Sequence, residues 1–365
     1  MNREVRRRLV SLGVWPALLD AADHVAWKLQ LFLLALLHLL FSSDKHWLSS
    51  SSSPSSSETR VPVAPSDAAV VTKRRRVLFV RHAESEWNVV FNRGLSLRAL
   101  ASLVRAVARE WLLLPSGDSV FLDSPLSRRG RFQAQSLRDH VSETPLCSLP
   151  GGDHTAVAGS LELELELVQP HRHSPPQSEE SALLRYLCCP LAGSVVVASN
   201  LRRTIDTARI ASASRLETPG ERIHVLSCLQ EIGRNLDTLA LSEPHTVQPH
   251  EVLAQAPRGG KRHDELFNVA ESHGNKAVLG SGRERLLAFA HWVFKQQKDV
   301  VVVYGHSLWF RAFCREFFPS DVQHEAKEAK MSNCGVVTFM LEERNRGGGE
   351  AAQYTIQPES FQHLI

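Results

Sequence analysis

The stretch VLFVRHAESEWN, residues 77–88, changes abruptly from an apolar run to charged and polar residues. Val77 to Val80 has the composition of a buried strand. Arg81 and His82 follow at the point where that strand is expected to end. In open parallel sheets, ligands bind beyond the carboxyl ends of the strands, so this pair of side chains is a candidate site.

Downstream of this stretch, apolar β-branched runs alternate with segments of helical periodicity. Further strands are predicted at Ser194–Ala198, Ile223–Leu226, Val300–Tyr304 and Asn333–Leu341. Helices are predicted at Leu97–Leu114, Arg131–His140, Thr204–Ala213, Arg283–Gln297 and Leu308–Phe318. Strands separated by helices are typical of an α/β fold. We therefore predict a three-layer sandwich with a mostly parallel central sheet flanked by helices.

Composition divides the chain into three parts. Residues 77–365 are predicted to form the main folded domain. Residues 49–76 contain SSSSSPSSS and PVAPSD, which predict a flexible linker. Residues 1–48 are predicted to be an apolar, helical extension outside the core of the domain.

The extension contains a nearly unbroken apolar run, Leu29–Phe41, interrupted only by Gln30 and His38. The run is shorter than the ~20 residues that span a bilayer, and extending it toward the N-terminus includes Lys28. It also lies too far along the chain for a typical signal peptide. Three interpretations stay open: a helix packed on the domain, a membrane anchor, and a wrongly assigned start of the chain.

Two polar segments, residues 142–181 and 242–282, are predicted to be insertions into the domain, where long loops often shape a site. Within the first, LELELELV at 161–168 alternates strictly and predicts a half-buried strand or hairpin. His171 and His173 fit a solvated loop better than a metal site. The second insertion is too irregular to be expected in the core.

The composition is that of an ordinary globular protein, with 43% apolar and 22% charged residues and a net charge of +3 over 365 residues. This small charge, with no aromatic residues among the basic clusters, argues against a nucleic-acid partner. Six cysteines form no metal-like spacing, which favours a reducing, cytoplasmic location. Membrane association through Leu29–Phe41 is the alternative, and neither metal nor cofactor is expected.

Three other predicted strands are also followed by residues that could take part in chemistry. Arg202 and Arg203 follow Ala198, Glu231 follows Leu226, and His306 follows Tyr304. Guanidinium groups bind phosphate through paired hydrogen bonds and stay charged. A neutral imidazole can attack phosphorus while its other nitrogen donates to a backbone carbonyl, and a second, protonated imidazole stabilises the transferring group. With a carboxylic acid to protonate the leaving alkoxide, the set predicts metal-free phosphoryl transfer through a phosphohistidine.

Four segments resemble, in order, the motifs of the histidine phosphatase superfamily, the phosphoglycerate-mutase-like proteins. They are VLFVRHAESEWN, DSPLSRRGRFQA at 123–134, SNLRRTIDTA at 199–208 and VVVYGHS at 301–307. The resemblance covers about residues 77–341 and implies that residues 77–365 are a catalytic domain with that family's fold. Position by position, it implies that His82 is the nucleophile, His306 the second histidine and Glu231 the proton donor. It further implies that Arg81 and Arg203 bind the phosphate.

Arg203 is matched in preference to Arg202 because the family pattern places this arginine four residues before a Thr-Ala pair, here residues 207–208. Arg202 is then expected to be solvated or salt-bridged. Asn88 matches a polar residue of the pocket wall, and Arg234 or Asn235 is expected to contact the remainder of the substrate.

Several positions depart from the family pattern without removing a reacting group. Ala83 replaces the usual glycine, which predicts a negative φ and a free backbone N–H. Thr204 and Ser307 stand where alanine and glycine are common. Glu84 and Ser85 are expected at the mouth of the site, and Gly130 in a turn that opens a helix.

The resemblance leaves three functions open. The first is a phosphatase that hydrolyses a phosphomonoester, in a small molecule or a phosphoprotein, through a phosphohistidine on His82. The second is a mutase or bisphosphatase of the same family, and the third an inactive member serving as a binding scaffold. Mutases of the family hold a second anionic group with an arginine pair, and here the first basic pair after Glu231 is Lys261-Arg262 in the second insertion. This difference favours the phosphatase, and the intact reacting residues argue against the scaffold.

Overall fold

One sheet of seven strands organises the computed structural model, which describes residues 14–45, 47–48, 71–92, 96–143, 179–248, 263–345 and 352–365. The strands are β1 Val71–Arg81, β2 Ser194–Ser199, β3 Ile223–Leu226, β4 Phe267–Asn268, β5 Val300–Gly305, β6 Val336–Asn345 and β7 Gln353–His363. Their order across the sheet is β4-β3-β2-β5-β1-β6-β7. All pairs from β4 to β1 are parallel, whereas β6 and β7 are antiparallel to their neighbours. The predicted α/β fold with a mostly parallel sheet is confirmed.

The described α-helices are α1 Val14–Phe41, α2 Glu86–Phe91, α3 Leu97–Leu113, α4 Arg128–Ser142, α5 Glu179–Cys188, α6 Arg202–Ala211, α7 Ala213–Leu216, α8 His263–Leu266, α9 Gly282–Lys295 and α10 Ser307–Phe317. They cover both faces of the sheet. Successive residues of a strand point to opposite faces, so Val77 and Phe79 pack with α9 and α10 in one core. Leu78 and Val80 pack with α4, α5 and α6 in the other. The sheet therefore forms the middle of three layers, as predicted.

The carboxyl ends of β1 and β5 lie side by side. Arg81 is in register with Gly305, and the backbone N–H of His82 donates to the Gly305 carbonyl over 3.0 Å. A Cβ atom at residue 305 would lie 2.7 Å from the Phe79 ring, so only glycine fits beneath this aromatic side chain. The close pairing brings the residues that follow both strands to the same edge of the sheet.

The predicted linker covers residues 49–76, and its predicted end at residue 76 is wrong, because β1 begins at Val71. The sequence shows only the buried half of this strand, whereas antiparallel pairing with β6 extends it to Asn345 opposite Val71. The basic residues of this part are not simply solvated. Arg74 pairs with Glu342 at 3.0 Å, and Arg75 pairs with Asp299 at 3.1 Å.

The predicted separation of residues 1–48 from the core is also wrong for the described part of the extension. The α1 helix packs along the domain, where Trp27 Nε1 donates to Leu241 O over 3.1 Å and Lys28 Nζ donates to Asp118 O. Beyond the helix, Ser43 Oγ donates to Gly280 O over 3.0 Å. Of the interpretations left open for Leu29–Phe41, the helix packed on the domain is the one observed.

The two insertions have different outcomes. Most of residues 142–181, including LELELELV, His171 and His173, lies outside the described residues. The second insertion was predicted to lie outside the core, and this is wrong for Phe267, which is buried in β4 at the edge of the sheet. Two residues of strand are too short to give a periodic signal, and only their pairing with β3 defines them.

Candidate active site

His82 has a defined tautomer at the end of β1. Its Nδ1 atom lies 2.7 Å from the Ala83 carbonyl oxygen. A carbonyl only accepts hydrogen bonds, so Nδ1 carries the proton and Nε2 keeps its lone pair. Asn333 Nδ2 donates to the His82 carbonyl over 2.9 Å, which fixes the backbone as well. The side chain is buried and oriented with Nε2 as the candidate nucleophile.

His306 faces His82 from the end of β5. The two imidazole centroids are 5.1 Å apart, and the rings are tilted by 60°. His306 is fully buried, and neither ring nitrogen has a hydrogen-bond partner among the residues that the structure describes. Unsatisfied buried polar atoms are costly, so their presence beside a second histidine marks a ligand site.

Arg81 and Arg203 bring two guanidinium groups to this pair. Each keeps its Nε buried and without a partner among the described residues. The other ends of the groups are held by backbone: Arg81 Nη1 donates to Met331 O, and Arg203 Nη1 donates to Asp237 O over 2.7 Å. The Asp237 carboxylate lies 3.6 Å from Arg203 Nη2. Both guanidiniums are therefore anchored while retaining donors for an anion.

Glu231 follows the short 3₁₀ turn Ser227–Leu229 after β3 and is almost fully buried. Its Oε1 accepts hydrogen bonds from the backbone N–H groups of Ile232, at 3.1 Å, and Trp309, at 2.9 Å. Among the described residues none donates to Oε2, which leaves that oxygen able to carry a proton. Burial raises the pKa of this carboxyl, against the opposing effect of Arg203. Glu231 therefore has the environment of a proton donor.

The two histidines are neutral in this environment. Burial and then the charges of Arg203 and Arg81 hold the pKa of His82 well below its usual value. Burial, followed by Arg203 and His82, does the same to the pKa of His306. A neutral His82 suits a nucleophile. The protonated state predicted for His306 differs from this result, because two guanidiniums disfavour a further cation unless an anion lies beside them.

An unpredicted ionic cluster supports the segment that carries Glu231. Lys276 Nζ donates to Glu231 O over 2.7 Å, to Gly233 O over 2.6 Å and to Asp44 Oδ2 over 2.9 Å. Arg285 Nη2 donates to the other oxygen of Asp44 over 2.6 Å. Burial lowers the pKa of Lys276 to about 8. Single charges in unrelated segments gave no sequence signal for this cluster.

Arg202 is salt-bridged, one of the two alternatives expected for it, and fully buried. Its guanidinium pairs with Asp118 and donates to Ser119 O over 2.7 Å, and its Nε donates to Asp123 O over 2.8 Å. Asp123 adopts a φ of 47° and accepts a hydrogen bond from the Arg202 backbone N–H. Arg202 therefore ties the motif at 123–134 to α6, and of these two neighbouring arginines it is Arg203 that lies near the histidines.

Three other expectations have mixed outcomes. Ala83 has no positive φ, as predicted, but its backbone N–H is not free, because it donates to Thr207 Oγ1 over 3.1 Å. Asn88 closes a capping box at the start of α2, its Oδ1 accepting from Ser85 N over 3.2 Å, so its predicted place in the pocket wall stays a prediction. Arg234 Nη2 donates to Ser42 O over 2.9 Å, which ties it to the N-terminal extension, and its contact with substrate also stays a prediction.

Glu84 borders a groove of about 800 Å³ beside α4 rather than a site lined by the histidines. Its Oε2 accepts from Ser127 Oγ over 2.8 Å, and Arg129 and Phe132 also line the groove. Gly130 lies in the first turn of α4, where a Cβ would meet the Glu84 carbonyl oxygen at 1.9 Å. The predicted turn glycine is thus required by a close backbone approach. Among the residues that the structure describes, no cluster of side chains could hold a metal ion.

The family model of the histidine phosphatase superfamily, branch 1, matches residues 181–347. The match covers less than half of the chain and agrees with the resemblance seen in the motifs at 199–208 and 301–307. It includes Arg203, Glu231 and His306, whereas Arg81 and His82 precede it. A search of curated proteins finds no relative that matches the chain.

Solved structures with a similar arrangement include the following three proteins. Mycobacterial hydrolase 1 is 14% identical, with 78% of this chain and 97% of that chain covered and a TM-score of 0.33. The mycobacterial glucosyl-3-phosphoglycerate phosphatase is 14% identical, with the same coverage and a TM-score of 0.32. Phosphoserine phosphatase from Entamoeba histolytica, solved with 3-phosphoglyceric acid, is 13% identical, with 72% and 89% covered and a TM-score of 0.31. At these values the neighbours carry no argument about activity.

Proposed function

We propose that the protein is a metal-independent phosphatase that hydrolyses a phosphomonoester through a phosphohistidine on His82. The observation that carries the proposal is the orientation of His82 beside His306. Its Nδ1–H is committed to the Ala83 carbonyl, so Nε2 is the basic nitrogen, next to a second imidazole with no described partner. Two guanidiniums, that of Arg203 buried and that of Arg81 half-buried, supply the charge that a phosphate dianion requires.

The proposed reaction has two steps. In the first, His82 Nε2 attacks phosphorus, the ester P–O bond breaks, and the departing alkoxide takes the proton from Glu231. In the second, the Glu231 carboxylate removes a proton from water, the resulting hydroxide attacks phosphorus, and the P–N bond breaks with its electron pair returning to Nε2. Glu231 then holds a proton again and phosphate leaves.

Each supporting residue has a role in this scheme. Arg81 and Arg203 neutralise the phosphate oxygens, and His306 takes up a proton once the dianion lies beside it, because the anion offsets the two cations that lower its pKa. Burial keeps Glu231 protonated at a higher pH than an exposed glutamate. The substrate class is a phosphorylated small molecule or a phosphoprotein.

The full-length protein should be tested with an aryl phosphate and then with phosphorylated sugars, peptides and phosphoglycerates. We expect phosphate release that is unchanged by EDTA and an acid-labile phosphoenzyme after rapid quenching. Both should vanish in His82→Ala and persist in His291→Ala, which replaces an exposed histidine of α9. Isomerisation that needs a bisphosphate primer would identify a mutase instead. Absence of both turnover and phosphoenzyme in a folded protein would refute the proposal.

A further inference from the structure

The α1 helix is apolar on its outward face as well as on the face packed against the domain, where Leu31 and Ala35 are buried. Lys28 and His38 are buried at 1% and 0% exposure against the domain. The side chains directed outward from the same turns are apolar and exposed, namely Leu29, Leu33, Leu36, Leu37, Leu40 and Phe41. Leu33 is 59% exposed and Phe41 60%. Buried charge beneath exposed leucines indicates that the outer face contacts an apolar medium.

The helix is long and apolar enough to span a bilayer, but its buried side chains attach it lengthwise to the domain. Lys28 Nζ donates to Leu113 O and Asp118 O near the middle of the helix. Near its end, His38 Nε2 lies 3.2 Å from Lys276 O. A transmembrane orientation would break these bonds and place Lys28 in hydrocarbon, which is costly. The attachment therefore favours a helix that lies parallel to a surface.

The α3 helix, whose last residue Leu113 accepts a hydrogen bond from Lys28 of α1, carries a second set of exposed apolar side chains. Its exposed apolar side chains are Leu97, Leu100, Val104, Val107, Trp111 and Leu112. The exposed charges of α3 are all positive, at Arg98, Arg105 and Arg109, and its single acidic residue, Glu110, is buried in hydrogen bonds to Ser119 and Val120. The exposed carboxylates of α1, Asp20 and Asp23, lie before the leucine-rich stretch. Apolar, aromatic and arginine side chains together are typical of interfacial helices.

We infer that α1 and α3 form a docking surface for a lipid bilayer with anionic headgroups, with both helices lying in the interfacial layer. The leucines of α1 and Trp111 of α3 enter the boundary between headgroups and acyl chains. Arg98 and Arg105 lie at headgroup level, where each basic side chain gains electrostatic attraction to anionic lipid. The protein is thus held on the membrane without crossing it.

The test uses the full-length protein and vesicles of phosphatidylcholine, alone or mixed with phosphatidylserine. We expect cosedimentation with the mixed vesicles, weakened by added salt. A combined Leu33→Glu, Leu36→Glu and Leu40→Glu variant should lose vesicle partition by about tenfold or more for each leucine removed from the lipid. Val71→Glu is the matched control, since it replaces an exposed apolar residue at the amino end of β1 and should bind as the parent does. Circular dichroism and Tm show that each variant is folded.

Three outcomes would overturn the inference. Equal binding by the triple variant and the parent would exclude α1 as the contact. If the parent protein did not bind vesicles but formed a dimer in solution, and the triple variant were monomeric, the surface would be assigned to a second copy of the chain. Insertion that resists alkaline carbonate and shields one end of α1 from protease would show a transmembrane helix.

Discussion

Replacing Asp44 by alanine removes the carboxylate that joins the N-terminal extension to the segment carrying Glu231. Asp44 is 2% exposed, and its two oxygens accept from Lys276 at 2.9 Å, Arg285 at 2.6 Å and the Gly233 backbone at 3.2 Å. Alanine would leave two cations close together and partly or fully buried. Removing one partner of a buried ion pair costs about 3–5 kcal/mol, and we expect a loss of that size in the free energy of unfolding.

Urea denaturation of the full-length chain measures this loss, with Asp20→Ala as the control. Asp20 is a carboxylate of α1 whose side chain is 75% exposed, so its removal should change the unfolding free energy by less than about 0.5 kcal/mol. Burial raises the pKa of Asp44, but Lys276 and Arg285 outweigh it and lower this pKa below the ordinary value of 3.8. The contribution of Asp44 to stability is therefore complete above 3.8 and is lost as the pH falls through the lower, folded-state pKa. The difference between parent and Asp44→Ala should therefore shrink in acid.

The same variant should affect turnover more than substrate binding. Lys276 holds the carbonyls of Glu231 and Gly233, so its displacement shifts the proposed proton donor while Arg81 and Arg203 stay in place. We expect kcat for an aryl phosphate to fall about 10- to 100-fold with a much smaller change in KM. A stability loss below about 1 kcal/mol, the range of a surface ion pair, together with unchanged kcat would refute this reasoning.

Three further predictions concern the site and its supports. Glu231→Gln should lower kcat for esters with poor leaving groups. In the parent, kcat for these esters should fall as the pH rises through the raised pKa of Glu231, and the variant should lack this fall. Gly130→Ala should destabilise the protein by about 1–3 kcal/mol in urea, because its Cβ would overlap the Glu84 carbonyl; equal stability would contradict the close approach. Arg202→Ala should lower the free energy of unfolding by about 3–5 kcal/mol, because it breaks a buried ion pair with Asp118. Arg203→Ala should chiefly reduce kcat/KM. If Arg203→Ala destabilised the fold and Arg202→Ala reduced kcat/KM instead, the roles assigned to the two arginines would be wrong.

The sequence predicted the elements whose signal is local. Val77 to Val80 and Val300 to Tyr304 are buried runs followed directly by reactive side chains, and parallel pairing places those ends together. The structure brings His82, His306, Arg203 and Glu231 to one place because each stands within a few residues of such an end. Strand ends are short-range features, so they can be seen without knowing the fold.

Features that depend on distant partners were missed. Asp44 and Lys276 are single charges in polar segments, and only folding pairs them. The start of β1 at Val71 depends on β6, which lies at the other end of the chain. The orientation of α1 was hidden because mean hydropathy does not distinguish a leucine turned outward from one turned inward. Asn88 was assigned by motif alone, which does not show that its side chain caps a helix.

The position of β1 has a consequence for the order in which the protein matures on the ribosome. This strand lies between β5 and β6, and Val80 pairs with Tyr304 and Val336, both made long after it. As the first strand of the described residues, β1 therefore lacks its neighbours, and its valines and Phe79 stay exposed, until most of the chain has been synthesised. His82 acquires its backbone partner Gly305 only then. Until β5 and β6 have been made, the apolar side chains of β1 have no partner strands, which exposes the nascent chain to aggregation.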